Sequence, residues 1–305
     1  MSHDHHAHAH HREAMDFGRA FAIGIALNLA YVAAEAGYGV AAGSLALLAD
    51  AGHNLGDVLG LGLSWGAALL GRRGPSGRFT YGFGSTSILA ALANALILMV
   101  VTGGIAWEAI WRLGHSVAVS GGPIAVVAAI GIAVNGATAL LFVGGRRHDL
   151  NLRSAFLHMA ADALIALGVV VAGIAIALTG WLWLDPTVGL VVSATIVYGT
   201  WDLMRQATQL ALDAVPQSVD AEAVRAHLLA VPGVTAIHDL HIWGMSTTET
   251  ALTCHLVMPQ GHPGDDALAH IVHELEQQFR IHHSTLQIEL GDSAEACALT
   301  PEHVV

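Results

Sequence analysis

Two segments of this chain repeat one spacing: His53-Asn54-Leu55-Gly56-Asp57 and His158-Met159-Ala160-Ala161-Asp162. Residues four apart share a face of a helix, so each segment offers an imidazole beside a carboxylate. Both lie inside long apolar runs, where an ionisable group is costly and marks a functional site by default. Brought together, His53, Asp57, His158 and Asp162 would form an N2O2 ligand set of the kind zinc accepts. Imidazole must be neutral and carboxylate ionised to hold a metal, so protons compete for the same four groups.

The elements that must position them are membrane spans. Of 305 residues, 54% are hydrophobic and only 12% charged, too apolar for an ordinary soluble protein of this length. Residues 17–208 read as successive apolar runs, while 213–292 read as a water-soluble module. Six spans fit, at 17–40, 45–70, 85–108, 121–143, 152–178 and 183–204, each near the roughly 20 residues that cross a bilayer core. The organisation expected is a His-rich tail (1–16), a six-helix transmembrane domain (17–208), a soluble domain (209–292) and a C-terminal tail (293–305). The first sixteen residues are polar and lack the apolar core of a signal peptide.

All twelve basic residues are Arg, and their distribution sets an orientation. Arg72, Arg73 and Arg78 fall between spans two and three; Arg146 and Arg147 fall between four and five, with Arg153 at the very start of five. Arg12 precedes span one and Arg19 lies at its very start, Arg205 follows span six, and the opposite loops hold only Arg112. By the positive-inside rule the Arg-bearing side, with both termini, is cytoplasmic. The two His/Asp pairs then fall at overlapping depths, roughly 12–18 Å and 15–21 Å from the outer face. Gly52, Gly56 and Gly60 on span two, with Ala155, Ala160, Ala161 and Ala163 on span five, suggest close packing of those two helices. The net charge of −12 and the lack of a basic stripe argue against nucleic-acid binding.

The soluble module reads α-β-β-α-β: helices at 219–231 and 263–280, strands at 234–245, 249–258 and 285–290. This order gives a small α+β domain with helices on one face of a sheet, ferredoxin-like or metallochaperone-like. Cys254 and Cys297 both fall in this part and suggest no disulfide framework.

These residues carry a resemblance. The stretch from Ser44 through Ala49-Asp50-Ala51-Gly52-His53 to Asp57 resembles the second transmembrane helix of the cation diffusion facilitator family, and His158–Asp162 its fifth-helix motif. Arg78-Phe79-Thr80-Tyr81-Gly82-Phe83 resembles that family's loop before helix three, and His238-Asp239-Leu240-His241-Ile242-Trp243 the first strand of its cytosolic domain. The resemblance covers about residues 17–292 and implies a homodimeric exporter of divalent cations, chiefly zinc, driven by proton antiport in the bacterial inner membrane. It implies that His53, Asp57, His158 and Asp162 bind the transported Zn2+, with protons as counter-ion; Cd2+, Co2+ and iron stay open as substrates. The ion would load from the cytoplasm, the helices would rock, and protonation from outside would expel it.

The resemblance also implies a cytosolic metal site, with regulatory Zn2+ left open. His238 and His255 lie on adjacent expected strands, His282, His283 and Glu289 can approach them, and Cys297 is a further candidate. Surface histidines on a dimerisation domain are the competing reading. Departures are visible too: relatives follow the Tyr-Gly-Phe stretch with Arg and Glu, where this chain has Ser85 and Ser87, and 71–78 offers no His, Asp, Glu or Cys for an additional site. His3, His5, His6, His8, His10 and His11, with Asp4, read as a cytoplasmic zinc collector or as a solvated tail. Asp50 reads as a polar residue near the outer mouth of span two, with a fifth ligand or a proton path as alternatives; Glu35 is a candidate proton relay. The rival functions are an intramembrane zinc enzyme, disfavoured because catalytic zinc keeps an open position, and a membrane zinc sensor without transport.

Overall fold

The computed structural model describes residues 26, 28–115, 117–142, 150–291, 297 and 299, with the side chains of 61, 141–142 and 150–156 set aside. The histidines of the N-terminal tract therefore lie outside the described residues. The described chain begins in a helix, α1, over 28–42. There follow α2 (Leu45–Gly71), α3 (Thr86–Gly114), α4 (Gly121–Phe142), α5 (Leu150–Thr179) and α6 (Leu184–Ala211). The C-terminal elements are α7 (Ala221–Leu229), β1 (Ala236–Gly244), β2 (Thr250–Val257), α8 (Asp265–Phe279) and β3 (Ile281–Glu289). Two compact units emerge, one from Met1–Leu61 with Asn94–Trp201, the other from Gly62–Ala93 with Asp202–Val305.

Among the described residues, four helices are long and apolar enough to cross a membrane: the whole of α3 and α6, Gly121–Leu140 of α4 and Leu157–Thr179 of α5. Helix α2, at 27 residues, is long enough. Its Asp50, His53, Asn54 and Asp57 dilute the apolar run, which is the physical reason it falls outside that group.

In the first unit α2 is anchored at its start by another helix. The buried Ser44 hydroxyl donates to Asp185 Oδ1, and the Leu45 and Ala46 amides donate to the same carboxylate at 2.8 and 3.3 Å. Ser44 Oγ in turn accepts from Leu47 N at 3.2 Å. First-turn amides have no partner within their own helix and carry partial positive charge, so a buried anion is stabilised there. Helices α4 and α5 approach through glycine: a Cβ on Gly121 would sit 2.6 Å from Ala177 N, and one on Gly173 would sit 2.7 Å from Ala125 N. Small residues at this spacing let membrane helices pack backbone to backbone.

The glycine stripe of α2 packs differently from the expectation. Space beside Gly52 is bounded by Val101 and Ile105, beside Gly56 by Leu98, and beside Gly60 by Asn94, all on α3. The stripe is offset by one residue, about 100° of helix rotation, from His53 and Asp57. One helix therefore gives its small residues to α3 and its ligand-type residues to α5.

The second unit holds a three-stranded sheet of order β1-β2-β3, with β1 and β2 antiparallel and β2 and β3 parallel. The order α-β-β-α-β is as the sequence indicates. Strand β3 starts four residues earlier than expected because its parallel register begins at Thr250↔Ile281. Val224 and Leu228 of α7 and Ile271 and Leu275 of α8 are buried with Ile242, Leu252, Leu256 and Ile281 of the sheet. Asp220 caps α7, accepting from Glu222 N and Ala223 N at 3.0 and 3.1 Å, a typical N-cap arrangement.

The same unit takes in the segment between α2 and α3. Ser85 Oγ donates to Met245 O at 3.2 Å, and Ser87 Oγ accepts from Thr247 N at 3.0 Å. Ser85 and Ser87 thus bind the β1–β2 turn by neutral hydrogen bonds.

Candidate functional site

The four intramembrane candidates converge in the first unit. His53 Nε2 lies 3.2 Å from Asp162 Oδ1 and 3.9 Å from Asp57 Oδ2; His158 Nε2 lies 3.0 Å from Asp57 Oδ2 and 3.7 Å from Asp162 Oδ2. Each imidazole is therefore bracketed by both carboxylates, with the shorter contact reaching across to the other helix. Ligand atoms of His53, Asp57 and Asp162 lie within 4.8 Å of one another. His158 closes the ring through its contacts to both acids, its ring edge-on to that of His53 with centroids 5.9 Å apart. Edge lengths of 3 to 4 Å suit a tetrahedron of ligands about 2.0–2.2 Å from a central ion.

The quartet has a closed end and an open end. The Asp162 side chain is 1% exposed and that of His53 17%, against 34% for Asp57 and 41% for His158. Asp162 Oδ2 and His53 Nδ1 are buried with no hydrogen-bond partner among the described residues. An acceptor left bare in a dry site is costly unless a cation or proton joins it. Asp50, one turn before His53, is 1% exposed and likewise keeps both carboxylate oxygens unpartnered. Asn54 donates to the backbone oxygen of Asp50 at 3.1 Å rather than to its carboxylate.

A second cluster forms in the C-terminal domain. The antiparallel register sets His238 opposite His255. Parallel pairing sets Glu289 opposite Val257, within reach of both rings. Glu289 Oε2 lies 2.9 Å from His238 Nε2, and its Oε1 lies 2.7 Å from His255 Nδ1. Cys297 Sγ stands 3.8 Å from His255 Nδ1, and the four residues form one cluster of metal-ligand type. Burial pushes the Glu289 carboxyl up, but hydrogen bonds from His238 and His255 outweigh it and hold the group below the ordinary glutamate value.

His282 and His283 are not brought to this cluster. They start β3 while Glu289 ends it, and six or seven residues of strand span roughly 20 Å. His282 Nδ1 accepts from Thr250 N at 3.4 Å, and His283 lies edge-on to Tyr81 at 5.5 Å. Sequence reasoning missed Asp239, whose carboxylate lies 3.5 Å from His255 Nε2 and 2.8 Å from His241 Nε2. The strand is irregular between His238 and His241, and Asp239 takes a left-handed φ of 52°. Period-two alternation would put Asp239 on the face opposite His238, and this break in the ladder lets it reach the cluster. No sequence signal announces such a bulge.

Residues 21–210 match the cation efflux transmembrane domain and 216–290 the cation efflux protein cytoplasmic domain. The chain is 33% identical over 281 residues to the metal cation efflux system protein CzcD of Cupriavidus metallidurans, covering 92% of this chain and 89% of that protein. It is 33% identical over 291 residues to the zinc transporter ZitB of Escherichia coli, covering 95% and 93%. It is also 31% identical over 264 residues to the cadmium, cobalt and zinc/H(+)-K(+) antiporter of Bacillus subtilis, covering 85% of each. The chain belongs to the cation diffusion facilitator family and is a membrane transporter of the cation efflux type rather than an enzyme.

Proposed function

We propose that this chain exports Zn2+ from the cytoplasm in exchange for protons, with His53, Asp57, His158 and Asp162 as the transport site. The observation that carries the reading is the crossed quartet, in which each imidazole is bracketed by carboxylates of both helices. Two ionised carboxylates offset a divalent charge, easing its passage through a low-dielectric core. Histidine titrates near physiological pH, so an acid exterior can displace the ion. The relatives' names supply zinc as substrate and, for the Bacillus subtilis protein, proton exchange. Cd2+ and Co2+ fall within the same N/O donor chemistry.

The transport unit is a homodimer in the bacterial inner membrane. It has six spans over 17–208, a cytosolic domain over 209–292, tails at 1–16 and 293–305, and both termini in the cytoplasm. His238, His255, Glu289 and Cys297 hold a regulatory zinc ion, and the tail histidines collect zinc. Proteoliposomes carrying the full chain and an imposed pH gradient test the central claim. Zinc should accumulate against its gradient when the compartment it enters is acidic. Zinc binding without pH-driven flux would identify a sensor instead.

A further inference from the structure

The two helices of the C-terminal domain meet through histidine and glutamate that neither the quartet nor the sheet cluster uses. Helix α7 buries Val224 and Leu228 against the sheet, and α8 buries Ile271 and Leu275. His227 directly precedes Leu228 and Glu274 directly precedes Leu275, so each stands on the flank of its helix's core-facing stripe. His270 lies four residues before Glu274, on the same face of α8. These flanks face each other. His227 Nε2 lies 3.5 Å from Glu274 Oε2, and His270 Nε2 lies 3.6 Å from Glu274 Oε1. One carboxylate is thus bracketed by an imidazole from each helix, presenting one oxygen to each ring.

The spacings suit a shared ion better than hydrogen bonds. A charge-assisted N–H···O bond is about 2.7–2.9 Å long, and both contacts exceed it. Two ligands each about 2.0–2.2 Å from a zinc ion, at a tetrahedral angle, stand about 3.3–3.6 Å apart. His227 Nε2 is buried and has no hydrogen-bond partner among the described residues, while its ring is packed against Phe279 with centroids 5.3 Å apart. A polar atom held in place without a partner is costly, and a metal ion would supply that partner. The set opens to solvent at His270, whose side chain is 71% exposed against 19% for His227. It is also separate from the sheet cluster. Leu252, Cys254 and Leu256 of β2 pack with α7 and α8, so strand alternation puts His255 on the opposite face.

We infer that His227, His270 and Glu274 form a further divalent-metal site, which takes Zn2+ or Co2+ and ties α7 to α8. Two imidazoles and a carboxylate are a donor set these cations accept, with water in the remaining position. Mg2+ and Ca2+ prefer all-oxygen sites and are poor occupants. The helices are separated in sequence by β1 and β2, so an ion held between them closes a long stretch of chain. Metal-binding free energy then adds to the stability of the helical layer, and local opening of either helix becomes rarer. The inference goes beyond the transport reading and does not depend on proton exchange.

The test uses the full chain in detergent, dialysed with ZnCl2, with MgCl2 or without metal. Elemental analysis should find one zinc ion fewer per chain in His270→Ala than in the wild type, and the wild-type number in His273→Ala, a control on the same helix. Glu274→Gln should weaken binding at this site at least about tenfold. Hydrogen exchange locates the ion. In a His238→Ala, Glu289→Gln background, which disables the sheet cluster, ZnCl2 should still slow exchange of the α7 and α8 amides, and MgCl2 should not. Adding His270→Ala should abolish the slowing in α7, a helix to which His270 does not belong. The exposed His270 side chain can be removed without disturbing the core, and if the background variant fails to fold, the ion count in single His270→Ala decides. An unchanged count in His270→Ala, no zinc-dependent slowing in the folded background, or slowing of α7 that persists without His270 would each overturn the site and leave two surface ion pairs.

Discussion

His53 Nε2 lies closer to Asp162 Oδ1 on the opposite helix, at 3.2 Å, than to Asp57 Oδ2 one turn along its own, at 3.9 Å. His158 repeats the preference, reaching Asp57 at 3.0 Å and its own Asp162 at 3.7 Å. The site is therefore made by the pairing of α2 with α5, and any movement of one helix against the other alters both of the short contacts at once. That coupling is what a transporter needs if ion affinity is to change with conformation.

Removing either carboxylate should abolish pH-driven zinc flux. Asp57→Ala and Asp162→Ala should each lower it more than about a hundredfold, since even residues that only support a ligand cost 10–100-fold. Asp162→Ala should lose more zinc affinity than Asp57→Ala, because the buried carboxylate acts in a lower dielectric. Isothermal titration of the purified variants, checked for folding by size exclusion, measures the difference.

Gly121→Ala should destabilise the α4–α5 pair. Its Cβ would sit 2.6 Å from Ala177 N, a backbone atom that cannot turn aside. Overpacking of this kind costs about 1–3 kcal/mol. A lower midpoint of thermal unfolding in detergent, with Gly122→Ala as a control where no atom lies within 4 Å, is the expected result.

The two cysteines should differ sharply in reactivity. Burial pushes the Cys254 thiol up to about 12, so at pH 8 about one in ten thousand is thiolate, the nucleophilic form. Its Sγ also donates to the His238 and His255 carbonyls. Iodoacetamide at pH 8 should modify Cys297 and leave Cys254 intact in folded protein, and added zinc should protect Cys297. Peptide mass mapping reads both sites.

Acid should loosen the C-terminal sheet of metal-free protein. Glu289 is held below the ordinary glutamate value near 4.3, so its pairing with His238 and His255 stabilises the fold above that pH. The contribution is lost as pH falls through the lowered folded value. Hydrogen exchange of β1–β3 amides, corrected for intrinsic rate, should rise over that window, and Glu289→Gln should flatten the dependence.

Deleting residues 2–11 should raise the zinc concentration for half-maximal flux and leave the maximal rate unchanged. A tract of histidines without fixed geometry concentrates metal but does not set turnover. Flux titrations of the truncated and full chains separate the two parameters.

What the sequence determined follows from local rules. Four-residue spacing places His53 with Asp57 and His158 with Asp162 on helix faces, because helix periodicity needs no tertiary partner. Apolar length dictates that helices carry them, and alternation gives β1 and β2, so that His238 meets His255 across the ladder. What only the tertiary structure decided depends on how the elements turn and pair. A helix sequence does not say which neighbour each face meets, and α2 gives its glycines to α3 and its ligands to α5. Parallel pairing of β3 sends Glu289 to the histidine cluster and leaves His282 and His283 at the other end. A break in β1 brings in Asp239 against the strand's own alternation.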